Sequence, residues 1–72
     1  MSKEAANQHK IAAEHYSAAA EAHLKAAEAY AAGQIGDASI QALVADGHAA
    51  YAEEAKLEAV KEHADEYQDA AA

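Results

Sequence analysis

The first half of the chain repeats with a period of seven. His9-Lys10-Ile11-Ala12-Ala13-Glu14-His15 is followed by Tyr16-Ser17-Ala18-Ala19-Ala20-Glu21-Ala22 and then by His23-Leu24-Lys25-Ala26-Ala27-Glu28-Ala29, and Tyr30 opens a fourth unit. A strict seven-residue repeat keeps one stripe of a helix turned toward one partner. With His9, Tyr16, His23 and Tyr30 at position a of that stripe, Ala5, Ala12, Ala19 and Ala26 fall at d. Glu14, Glu21 and Glu28 then occupy f, the outermost position. Alanine is the strongest helix former, and no proline or glycine interrupts residues 3–32. The pattern predicts one helix over that stretch, with Glu21 and Lys25 supporting it as an i,i+4 pair.

Gly33-Gln34-Ile35-Gly36 breaks the repeat and reads as a turn over about 33–37, with Gly33 ending the first helix and Asp37 capping the next. A second helix follows over about 38–70. Ile40, Leu43, Val44 and Tyr51 mark an apolar face on it, and Leu57, Val60, Ala64 and Tyr67 mark another, slightly rotated. Gly47 lies between the two and reads as a point of close helix approach in a continuous helix. Two helices of about thirty residues, each about 45 Å long, joined by a short turn make antiparallel neighbours. The fold class is therefore all-α, a single helical-hairpin domain over residues 1–72.

Composition adds a partner to this picture. Twenty-five of the 72 residues are alanine, and only thirteen are larger apolar or aromatic residues. A chain this short buries only about 60% of its unfolded surface, and alanine contributes little of it. A lone hairpin would leave Tyr16, Tyr30, Leu43, Tyr51 and Leu57 half exposed. Two hairpins packed into a four-helix bundle would bury them, so the expected state is a homodimer with those five residues in its core.

Charge narrows the partners. The net charge is -8, distributed as -1 over residues 1–32 and -7 over residues 33–72. Nucleic acid requires a basic face and is excluded as a partner. No apolar run approaches the ~20 residues of a membrane span, and Met-Ser-Lys-Glu has no signal-peptide core, so a cytoplasmic protein is expected. Glu54, Glu58, Glu62 and Glu66 form an i,i+4 row on the second helix. That row reads as a solvated face, or as a surface for a protein partner or cation.

Nothing in the sequence points to an enzyme. Cysteine is absent, which removes thiolate nucleophiles and thiolate metal sites. There is no phosphate-binding glycine loop, and Ser17 lies two residues from His15, which turns the two apart on a helix. The five histidines are the compositional oddity. None has another histidine three or four residues away, and neither the H-E-x-x-H zinc motif nor the Glu-x-x-His di-iron signature occurs. A hairpin turning near Ile35 would instead set His23 across from His48, and His9 across from His63. Such cross-helix pairs are candidate ligands for Zn, Cu or Ni, with further ligands drawn from glutamates or a second copy. The same residues can equally fill space in an alanine-rich seam, in which case no cofactor is bound.

Ala31-Ala32-Gly33, Ala45-Asp46-Gly47-His48-Ala49 and Ala52-Glu53-Glu54-Ala55, together with the His/Tyr–Ala-Ala-Glu repeat, carry a resemblance. The chain resembles an uncharacterised family of small bacterial His- and Ala-rich two-helix proteins. The resemblance spans most of the chain, implies a helical hairpin and assigns no activity. The family often pairs its histidines, where this chain has Glu14-His15, His23-Leu24 and a lone His48. It therefore implies weaker metal binding here, if histidine density serves that role. The sequence thus supports a non-enzymatic structural or protein-interaction module, with transition-metal binding or buffering as the alternative.

Overall fold

A helix built on alanine can approach another helix more closely than one built on leucine, because no side chain holds the backbones apart. This governs the computed structural model, which describes residues 3–71. Helix α1 spans Lys3–Ala31 and helix α2 spans Ile35–Ala71, packed side by side as a hairpin. Its Cα trace is a rod 59 Å long with a cross-section of 13 × 12 Å. With 37 residues against 29, α2 continues about two turns past Lys3.

The turn is a helix C-cap followed at once by a new helix. Gly33 has φ +76°, a left-handed conformation that favours glycine. Gln34 N–H donates to the Ala29 carbonyl at 2.8 Å and Gly33 N–H to the Tyr30 carbonyl at 3.0 Å, the paired bonds of a Schellman motif. The Gln34 carbonyl then accepts from Ala38 N–H at 2.9 Å, and α2 starts at Ile35 rather than at residue 38. Asp37, expected as the cap, sits inside the first turn, where its negative charge still favours the helix N-terminus.

Every buried residue among those described is an alanine. On α1 these are Ala5, Ala12, Ala19 and Ala26 at intervals of seven, with Ala22 and Ala29 between the rows. On α2 they are Ala38, Ala45, Ala52 and Ala59 at the same interval, with Ala55. The expected seam is half right. Its alanine row faces α2, whereas His9, Tyr16, His23 and Tyr30 are exposed. The second row of the seam is Gln8, His15, Ala22 and Ala29, one residue earlier in the repeat.

The apolar faces expected on α2 are likewise not its packing face. Ile40, Leu43, Val44, Tyr51, Leu57, Val60 and Tyr67 are all exposed, from 42% at Val44 to 73% at Tyr67. Close alanine packing leaves no room between the helices for side chains of that size. Gly47 is not a contact point either, since a methyl added there meets nothing within 4 Å. α2 runs through it unbroken.

Candidate interaction surface and histidine pair

Helical residues two apart point to opposite sides. His9 and Ile11 therefore mark two faces of the hairpin. On one face an open groove of about 490 Å³ is lined by His9 of α1 and by Val60, His63, Ala64 and Tyr67 of α2. On the other a groove of about 350 Å³ is lined by Gln8, Ile11 and His15 of α1 and by Tyr51, Glu54 and Glu58 of α2. Tyr16 and Tyr30 lie in the His9 heptad row and share its face, where the Tyr16 hydroxyl donates to Glu53 Oε2 at 3.1 Å.

The five residues expected in one dimer core consequently do not share a face. Tyr16 and Tyr30 belong to the His9 face and Tyr51 to the Ile11 face. Leu43 and Leu57 each lie two residues from a seam alanine, on the side of α2 turned away from α1. No single two-fold contact covers all five.

The His9 face has an order of its own. Ala6, His9, Ala13, Tyr16, Ala20, His23, Ala27 and Tyr30 are spaced alternately three and four residues apart, and all eight are exposed. This is a second complete heptad seam, offset by one residue from the buried one. It contains no Lys, Asp or Glu.

The cross-helix histidine pair differs from the one expected. His15 Nδ1 lies 3.0 Å from His48 Nδ1, with ring centroids 5.2 Å apart. His15 also packs on Tyr51 at a centroid distance of 5.3 Å. Both histidines are half-buried, whereas His9, His23 and His63 are exposed. The expected register, centred on Ile35, is several residues too far along α2, so His15 rather than His23 stands across from His48. His9 and His63 do line one groove, where His63 also stacks near Tyr67 at 6.0 Å. His15 could have been found from sequence. It lies three residues after Ala12, as His48 lies three after Ala45, which puts both on the second row of the alanine seams.

The acidic row divides. Glu54 and Glu58 are exposed on the Ile11 groove, and Glu58 accepts from Lys61 at 3.3 Å. Glu62 and Glu66 are half-buried where the alanine seam of α2 runs out. The Glu62 carboxyl is raised above its ordinary 4.5, chiefly by lost hydration. Glu4 of α1 adds like charge and a carboxyl–carboxyl hydrogen bond, and Asp65 and Glu66 add further like charge.

Among the described residues no three His, Asp or Glu side chains gather into a metal shell, and no helix is long and apolar enough to cross a membrane. Comparison with known proteins returns no match among family models, curated proteins or solved structures.

Proposed function

We propose that the hairpin is a self-assembling structural module without catalytic chemistry, whose partner is a second copy of itself. The observation that carries this reading is the self-complementarity of the exposed seam on α1. Reflected about its midpoint, as a two-fold axis between antiparallel copies requires, Ala6 meets Tyr30, His9 meets Ala27, Ala13 meets His23, and Tyr16 meets Ala20. Each large side chain falls opposite an alanine, the pairing that lets knobs seat in holes. Val60 and Tyr67 of α2 border the same face and would widen the contact into a four-helix bundle. Assembly would also cover part of what the alanine core leaves outside, namely Tyr16, Tyr30, Val60 and Tyr67.

Sedimentation equilibrium tests the proposal. The wild-type chain is expected to be a dimer, and Ala20→Glu a monomer. Ala20 is exposed in the single hairpin, and Glu is a good helix former, so the substitution acts on the contact between copies. A wild-type monomer that melts cooperatively would overturn the proposal, as would an Ala20→Glu variant that remains dimeric.

A further inference from the structure

The geometry points to a copper(II) site at the cross-helix pair His15 and His48, one site per chain. Their Nδ1 atoms face each other 3.0 Å apart across the seam, one imidazole from each helix. With metal–nitrogen distances of about 2.0–2.1 Å, two nitrogens at that separation subtend about 94° at a shared ion. An angle near 90° is compatible with two adjacent positions of a square-planar or tetragonal ion such as Cu²⁺. Among divalent first-row ions Cu²⁺ binds such nitrogen sites most tightly.

The surroundings agree with two protein ligands and no more. No third His, Asp or Glu of the described residues joins the pair, so the remaining positions fall to water. Among the described residues no four side chains close a structural zinc site. The roughly 350 Å³ groove beside His15 gives those waters room, and Glu54 and Glu58 on its wall bring negative charge toward a cation without ligating it. Binding needs one rearrangement. In the free pair one ring's Nδ1–H donates to the other's Nδ1 lone pair. On binding, that proton moves to Nε2 of its own ring, both Nδ1 lone pairs point at the ion, and no net proton is released.

The test is titration of tag-free protein with Cu²⁺ alone in a non-coordinating buffer, followed by calorimetry and by electron paramagnetic resonance. The expected result is one ion per chain, with nitrogen hyperfine structure from two imidazoles. His15→Gln and His48→Gln should each weaken binding by at least about tenfold, because either change removes the effective concentration of the second imidazole. His63→Gln should not change it. Circular dichroism confirms that each variant remains helical. The hyperfine count is read on the wild type and holds whatever the variants do. Wild-type affinity in both His15→Gln and His48→Gln would overturn the site. So would a one-nitrogen spectrum, or Zn²⁺ bound as tightly as Cu²⁺. The stoichiometry is counted per chain, so the result does not depend on whether the hairpin dimerises.

Discussion

At the scale of single residues, alanine is the organising side chain. It occupies every buried position described, so large apolar residues are excluded from the seam rather than recruited to it. This inverts the ordinary expectation that the largest apolar residues face the core, and it explains why Ile40, Leu43 and Tyr51 were misleading guides to the packing face of α2. Gly47 shows the same openness. It sits inside a helix with an ordinary backbone conformation and free space around it. Gly47→Ala should therefore stabilise the hairpin by up to about 1 kcal/mol, a rise of about 4–8 °C in melting temperature. Thermal denaturation checks this, and a lower melting temperature would show that a group outside the single chain packs onto Gly47. Glu62 makes a pH-dependent prediction. Its folded pKa lies above the unfolded one, so its contribution to stability is fully present below about pH 4.5 and is lost as pH rises through the folded value. Glu62→Gln should melt higher than wild type at pH 7, with the difference closing below about pH 4.5. Equal melting temperatures at pH 7 would contradict the placement of Glu62 beside Glu4.

At the scale of elements, the helices and their connection were legible and the rotation of each helix was not. The alanine run, the glycine at position 33 and the absence of proline are local signals, and local signals define where a helix runs and where it stops. Gly33 has the positive φ expected of a C-terminal cap. Gly36, by contrast, takes up an ordinary helical position, which is why α2 begins before Asp37. The heptad repeat was real, but it contains two seams one residue apart, and periodicity alone cannot say which of them the partner helix fills. Packing decides it. The row that pairs Ala5, Ala12, Ala19 and Ala26 with Ala22 and Ala29 permits the closer approach and goes to α2. The row that alternates alanine with His or Tyr is left outside. The histidine pair was lost with the register. An error of a few residues in the turn changes which histidine stands across from His48.

At the scale of the whole molecule, α1 carries two heptad rows on adjacent edges. One edge holds α2 through alanine. The other is proposed to hold the same edge of a second copy, with alanine against tyrosine and histidine. The proposed contact would use different chemistry from the α1–α2 seam, so substitution would separate the two. Glu54 and Glu58 of α2 lie on the other groove, away from the exposed α1 row, so their charge would not oppose the proposed contact. The most direct test is a spin-label distance between copies, using Ala31→Cys, an exposed residue at the end of α1. Two-fold antiparallel pairing about the midpoint of the row sets the two labels about 39 Å apart along the helix axis, at 1.5 Å per residue. A distance distribution near that value is the predicted result. A short distance, as parallel copies would give, or no distance between copies at all, would contradict the two-seam account.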